Sequence, residues 1–297
     1  MGNFNTLFFN EKLDDMKMYL SIILCSLINL SLVSQDVKIF QSDMLVKQWE
    51  TPQTLSIPES VCYDSASGLL YVSNINGKPI EKDENGFIST LGLDGKIQEL
   101  KWVSGLDAPK GMGIFNGILY VTDIDRVAAI DIKNKSIRKF YEFPEAKFLN
   151  DIAIDQSGAV YISDMNSTRI YRIYQERAEV WLDDPLLTNP NGLFADNDQL
   201  LIGCNKVIMA GTRDKKINPY LDQTGGIDGL EATGHGQYIF SDWSGRVYMV
   251  GTDKKIEKIL DTTPAGINAA DIEYIPDLHL LLVPTFGDNR IVAYQLK

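Results

Sequence analysis

A unit of about 40 residues recurs six times along this chain, and it limits the possible folds more than any other feature. Each unit begins with a polar residue, followed by a short apolar strand, a turn, and a second apolar strand with a polar end. The opening residues are Glu59, Lys110, Asn150, Asn191, Asp228 and Asp271. Repeats of this length with four short strands each are typical of β-propeller blades. The sequence therefore predicts an all-β, six-bladed β-propeller.

The last repeat lacks a strand that the end of the chain does not supply. The sequence ends at Lys297, after the third strand of this repeat, whereas the segment Val37 to Trp49 precedes the first repeat. Pairing that segment with the last blade would close the ring and remove the exposed edges of an open sheet. We therefore expect an N-terminal strand in blade six. Two β-sandwiches are the alternative fold, but they would not explain six aligned repeats.

The composition excludes several classes of protein. The 297 residues contain 28 Lys and Arg against 40 Asp and Glu, a net charge of −12, which does not suit a nucleic-acid partner. Three cysteines are too few for a disulfide scaffold. We expect Cys62 and Cys204 to be separate and buried, because the repeats place them in blades across the ring. A small molecule is the expected partner.

The N-terminal segment differs from the repeats. Met18 to Val33 is the only long apolar run, with Lys17 before it and small and polar residues after it. At roughly 16 residues it is short for a membrane span but fits the core of a signal peptide. We predict a targeting segment at 1–35, a propeller at 36–297 without a stable membrane span, and export to the periplasm or secretion. An uncleaved anchor that tethers the protein to a membrane is the alternative.

The opening residues of the repeats are the candidate site, because the inner strands of a propeller converge on its central channel. Asn and Asp also begin strands through turn chemistry, which could explain any one of them. Glu is a poor turn residue, so Glu59, Asn191 and Asp228 together favour a site with three oxygen donors. Oxygen donors suit Ca²⁺, with Mg²⁺ or Mn²⁺ as alternatives. Zn²⁺ is less suited, since no aligned position holds His or Cys.

Four short motifs carry a resemblance to a known family. They are Pro58-Glu59-Ser60, Asn150-Asp151, Asn191-Gly192-Leu193 and Asp228-Gly229-Leu230. In order and spacing, residues 50–297 resemble the gluconolactonase, senescence-marker-protein and luciferin-regenerating-enzyme family, six-bladed propellers that hydrolyse sugar lactones around a divalent metal. The resemblance implies that Glu59, Asn191 and Asp228 are metal ligands. It also implies that Asn150 contacts the substrate or completes the coordination, and that Asp228 is the general base.

The chain departs from the family pattern at two positions of the site. Sugar lactonases of this family often carry an arginine two residues before the position of Asn150, where this sequence has Phe148. The missing guanidinium argues against gluconolactone itself as the substrate. Lys110 brings a cation into the ring, where it would contact the substrate by meeting a developing oxyanion, or would pair with Glu59. A solvated lysine at the rim is the other interpretation.

Two functions remain open at this point. The first is a divalent-metal-dependent hydrolase of lactones or related esters, in which a carboxylate takes a proton from metal-activated water. The second is a non-catalytic propeller of the NHL-repeat kind that binds a protein or a glycan outside the cytoplasm. The histidines, His235 and His279, fall in turns away from the ring, and no Gly-Xaa-Ser-Xaa-Gly element is present. Trp243, at a strand end, is expected to flank the substrate mouth.

Overall fold

Six antiparallel sheets follow one another along the chain in the computed structural model, which describes residues 38–297. Each sheet is formed mainly by consecutive strands, and the first strand of each is the innermost. Inner strands of neighbouring sheets contact each other around the whole ring, including the last with the first. The predicted six-bladed β-propeller is therefore confirmed. The predicted targeting segment at 1–35 lies outside the described residues.

The strands are short and regular. Two of them precede the first blade: β1 (Phe40–Gln41) and β2 (Leu45–Glu50). Blades one to three contain β3 (Pro58–Asp64), β4 (Leu69–Asn74), β5 (Gly86–Gly92), β6 (Ile97–Leu106), β7 (Pro109–Phe115), β8 (Ile118–Asp123), β9 (Arg126–Asp131), β10 (Ser136–Glu142), β11 (Leu149–Ile154), β12 (Val160–Asp164), β13 (Arg169–Tyr174) and β14 (Arg177–Asp183). Blades four to six contain β15 (Leu193–Asp196), β16 (Gln199–Cys204), β17 (Val207–Thr212), β18 (Ile217–Asp222), β19 (Leu230–Gly234), β20 (Gln237–Asp242), β21 (Arg246–Val250), β22 (Ile256–Asp261), β23 (Glu273–Ile275), β24 (Leu280–Pro284) and β25 (Ile291–Leu296).

Helical structure is confined to three single turns among the described residues. These 3₁₀ turns are Thr263–Ala265, Pro276–Leu278 and Phe286–Asp288. No helix in residues 38–297 is long and apolar enough to cross a membrane.

The ring is closed by the N-terminal part of the described chain. Strand β2 pairs antiparallel with β25, with Leu45 opposite Leu296, so the predicted closure in blade six is confirmed. The pairing segment is shorter than the predicted one, however, because β1 pairs instead with β22, with Phe40 opposite Asp261. A turn in which the Leu45 N–H donates to the Ser42 carbonyl at 3.0 Å separates the two strands. Blade five therefore has five strands.

The apolar core is divided among the blade interfaces. Six clusters of buried side chains each join two neighbouring blades, and one of them joins blade six to blade one. Aromatic pairs such as Tyr71 with Trp102, at 4.8 Å between ring centroids, belong to these clusters. Cys62 and Cys204 lie in separate clusters as unbridged, buried thiols, as predicted. Burial raises the pKa of Cys204 to about 12, which keeps this thiol protonated.

Candidate functional site

A cavity of about 220 Å³ lies at the mouth of the channel where the inner strands begin. All five residues predicted from the sequence for this site line it: Glu59, Lys110, Asn150, Asn191 and Asp228. Each comes from a different blade, at the start of the inner strand or in the residues just before it. The propeller therefore brings together five side chains that are far apart in the sequence.

The sixth predicted member of the ring is displaced by one residue. The backbone N–H of Ala270 donates to the Pro284 carbonyl, as the N–H of Asp228 does to Ser241 in blade five. Ala270 therefore holds the ring position in blade six, and the placement of Asp271 in the ring was wrong. The Asp271 side chain is buried and does not line the cavity, because it lies one position further along the strand.

Neighbouring side chains in the cavity orient one another. The Asn191 amide Nδ2 donates to Oδ1 of Asp228 at 2.7 Å. The remaining oxygen of each of these two side chains is buried and has no hydrogen-bond partner among the described residues. The buried oxygens without a partner on this cavity are Asn191 Oδ1, Asp228 Oδ2, Glu59 Oε2 and Asn150 Oδ1. Buried polar atoms normally have partners, so four unpartnered oxygens on one cavity require an explanation.

This donor set fits a hard divalent cation. Carboxylate and amide oxygens together are ligands that Ca²⁺ accepts, and two carboxylates, from Glu59 and Asp228, balance its charge. Within residues 38–297, no three His, Cys, Asp or Glu side chains cluster as a metal site by themselves. The amide oxygens of Asn150 and Asn191 are therefore required to complete the protein's share of a coordination shell.

The electrostatics of the cavity also favour a cation. Burial raises the pKa of Asp228 to about 7. Burial and the Asp228 charge hold the pKa of Glu59 well above its usual range, although the Lys110 ammonium opposes that shift. Two carboxylates that ionise reluctantly beside each other gain from a cation placed between them.

Lys110 is not a solvated rim residue, because only 1% of it is exposed. Its Nζ donates to the carbonyl oxygens of Pro79 at 2.9 Å and Ala108 at 2.8 Å, and it lies 4.6 Å from the centroid of the Phe148 ring. Burial lowers the pKa of Lys110 to about 8, while Glu59 acts in the opposite direction. Lys110 thus holds the loop that contains Pro79 against the cavity.

Hydroxyl groups of the second strands fix the backbone that carries the ring. Ser241 Oγ accepts from the Gly229 N–H at 2.8 Å and donates to the Ala270 carbonyl at 2.7 Å, and so joins blades five and six. Thr122 Oγ1 donates to the Asn150 carbonyl at 2.6 Å. Sequence analysis missed this role. Its signal is a Ser or Thr before Asp or Asn at four strand ends: Ser73-Asn74, Thr122-Asp123, Ser163-Asp164 and Ser241-Asp242.

Asp151 is a further supporting residue that sequence analysis did not assign. Its carboxylate accepts from the backbone N–H groups of Ile152 and Leu193, both at 2.6 Å. The second bond crosses from blade three to blade four, two residues after Asn191. Asp151 therefore fixes the position of Asn150 in blade three relative to Asn191 in blade four.

The mouth extends into a second cavity of about 360 Å³. The two cavities share Met165, Asn191, Asp228 and Trp243, so Trp243 flanks the mouth as expected. The histidines are elsewhere. His235 and His279 follow the ends of inner strands β19 and β23, whereas the cavity lies where inner strands begin.

Glycines beside the ring residues permit the close approach of adjacent inner strands. A Cβ on Gly192 would lie 2.5 Å from the Asp228 carbonyl oxygen, whereas a Cβ on Gly226 would meet nothing within 4 Å. We expect Gly192→Ala to lower the free energy of unfolding by about 1–3 kcal/mol through overpacking, and Gly226→Ala to leave it nearly unchanged. Urea unfolding of both variants measures this. Equal stabilities would contradict the close approach.

Comparison with known proteins supports the fold. No protein-family model matches this chain, and no curated protein sequence is similar to it. Many solved structures are similar. A gluconolactonase from Xanthomonas campestris is 15% identical, with a TM-score of 0.67 over 85% of this chain and 89% of its own.

Two other similar structures have different functions. Virginiamycin B lyase from Staphylococcus aureus, solved with quinupristin as an inactive variant in which alanine replaces a histidine, is 17% identical with a TM-score of 0.61. That alignment covers 85% of this chain and 99% of the lyase. A chain of a nidogen/laminin complex is 16% identical with a TM-score of 0.61, over 72% of this chain and 87% of its own. At these identities the similarity shows the propeller fold and not the function.

Proposed function

We propose that this protein is a divalent-metal-dependent hydrolase of lactones or related esters. The observation that carries the proposal is the set of four buried oxygens without partners, from Glu59, Asn150, Asn191 and Asp228, on one cavity. Glu59, Asn191 and Asp228 are the proposed metal ligands. Asn150 contacts the substrate or completes the coordination, and Ca²⁺ is the cation that the donor set favours.

The side chains of the cavity have different roles in the proposed hydrolysis. A cation held by Glu59, Asn191 and Asp228 would supply Lewis-acid polarisation of the carbonyl and would make water a better nucleophile. Asp228, whose Oδ1 accepts from the Asn191 amide and whose Oδ2 has no partner, would take the proton from the attacking water and return it to the alkoxide released when the acyl C–O bond breaks. The Lys110 ammonium, beside the cavity, favours negative charge that develops on the substrate oxygen.

A histidine-dependent elimination, as the inactive lyase variant suggests for that similar protein, is not favoured here. Neither His235 nor His279 lines the cavity. The similarity to a chain of a nidogen/laminin complex supports a second candidate, a non-catalytic propeller that binds a protein or a glycan. That candidate leaves the four unpartnered oxygens unexplained, so the hydrolase is the better proposal.

A screen for hydrolysis tests the proposal. Purified protein is treated with EDTA, desalted, and assayed on lactones and aryl esters with Ca²⁺, Mn²⁺, Zn²⁺ or no added metal. We expect turnover that depends on the added cation and is lost in Glu59→Gln. A matched control, Glu257→Gln, removes an exposed carboxylate outside the cavity and should retain full activity. A screen without turnover for any substrate and cation would favour the binding protein.

A further inference from the structure

Six apolar side chains also line the cavity, and together they form its apolar wall. They are Ile75, Pro79, Phe148, Met165, Trp243 and Phe286, beside the carboxylate and amide side chains described above. The wall contains no hydroxyl, guanidinium or carboxamide group. Trp243, on this wall, is 51% exposed. The cavity therefore combines a polar floor with an apolar wall.

The aromatic side chains of the wall are held in place. The Phe148 N–H donates to Asp164 at 2.8 Å, and its ring lies against the Lys110 ammonium. The rings of Trp243 and Phe286 meet edge to face at 5.5 Å between centroids. The Trp243 carbonyl accepts from the Asn268 amide at 3.0 Å. The wall is thus preformed for a ligand, which lowers the entropic cost of binding.

The backbone conformation of Phe286 also contributes to the wall. Its φ of +47° lies in the left-handed region, which a bulky residue rarely adopts. Ile124, an apolar residue that does not line the cavity, shares this conformation, so at Phe286 it serves to position the ring. Here it begins a 3₁₀ turn, Phe286–Asp288, and places the Phe286 ring on the cavity beside Trp243.

We infer that the substrate carries an apolar alkyl or aryl group that lies against Phe148, Trp243 and Phe286. This inference rests on the proposed function, since it places the lactone or ester carbonyl towards the Glu59 and Asp228 oxygens. Polyol hydroxyls on this wall would lose hydrogen bonds with water and gain none. Each methylene buried there instead strengthens binding about fourfold.

Binding of inert lactams tests the inference separately from hydrolysis. The probes are N-alkylpyrrolidones with methyl, ethyl, butyl and hexyl chains, and glucono-δ-lactam as the polyol analogue, titrated by calorimetry with CaCl₂ present. We expect affinity to rise about fourfold per methylene until the cavity is filled, with the polyol binding most weakly. An affinity that does not depend on chain length, or tighter binding of the polyol, would overturn the inference.

Variants locate the binding surface. Trp243→Ala and Phe286→Ala should each weaken binding of the hexyl lactam roughly tenfold. Phe40→Ala is the matched control, because Phe40 is a similarly exposed aromatic, at 47%, outside the cavity. If Phe40→Ala weakens binding as much as Trp243→Ala, the apolar group lies elsewhere and the inference fails.

The two proposals can fail separately. Chain-length-dependent lactam binding together with a hydrolysis screen without turnover would support the apolar ligand and reject the hydrolase. Metal-dependent turnover together with lactam affinity that ignores chain length would support the hydrolase and reject the apolar substituent.

Discussion

Replacing Asp228 with Asn is expected to reduce kcat by about 10²–10⁴-fold at saturating Ca²⁺, the usual cost of a lost general acid or base. Asn keeps an oxygen donor but removes the proton acceptor and one of two negative charges on the cavity. Metal affinity should therefore also fall. The fold should be retained, because Asn keeps an oxygen that can accept from the Asn191 amide. The measurement is kcat on the best substrate from the screen.

Asp271→Asn is the matched control for this variant. Asp271 is another buried carboxylate, one residue beyond the ring position, and it does not line the cavity. We expect its kcat to stay within a few-fold of the parent. Equal activity in the parent and in Asp228→Asn would remove Asp228 from the mechanism.

The second large effect is a pH-dependent stabilisation by Ca²⁺. Burial raises the pKa values of Asp228, Asp151 and Glu273 to about 7. The unfolded chain then releases protons at lower pH than the folded one, so the metal-free protein loses stability as the pH rises from about 4 to 7. The contribution of these groups to stability is complete below their pKa values in the unfolded chain and is lost above their pKa values in the folded protein. A cation on the ring offsets part of this loss.

Thermal unfolding with and without Ca²⁺ at pH 5 and pH 8 measures this effect. At about 100-fold excess over Kd we expect Tm at pH 8 to rise by roughly 5–10 °C. The rise should be smaller at pH 5, because the cation must displace protons from Glu59 and Asp228. The double variant Glu59→Gln/Asp228→Asn should not respond, whereas Asp271→Asn should. No shift at pH 8 would argue against a metal centre.

The fold could be predicted because each blade is formed by short apolar strands separated by turns. This pattern is local in the sequence and recurs in all six repeats. It also predicted closure by an N-terminal strand, since blade six lacked one. The role of β1 was not predictable. Pairing of Phe40–Gln41 with β22 depends on a turn at Ser42, and a two-residue strand leaves no periodic signal.

The sequence predicted that the candidate residues would converge on one end of the channel, and they line one cavity there. Glu59, Asn191 and Asp228 could be named because their motifs recur at the start of inner strands. Asp271 was misplaced because alignment by residue type ignored the register, in which Ala270 is the true counterpart. The burial of Lys110 depends on the conformation of the loop that contains Pro79, which no local pattern encodes.

The ring is closed by the pairing of β2 with β25, two strands from opposite ends of the described chain. Residues Leu45–Glu50 emerge before the other strands of blade six during synthesis, whereas their partner, Ile291–Leu296, emerges after β23 and β24. Until then, the free strand and the unfinished edge at β24 are both available to other chains. We therefore expect that two growing or partly opened molecules can exchange β2 and form a swapped dimer, with each ring completed by β2 of the other molecule.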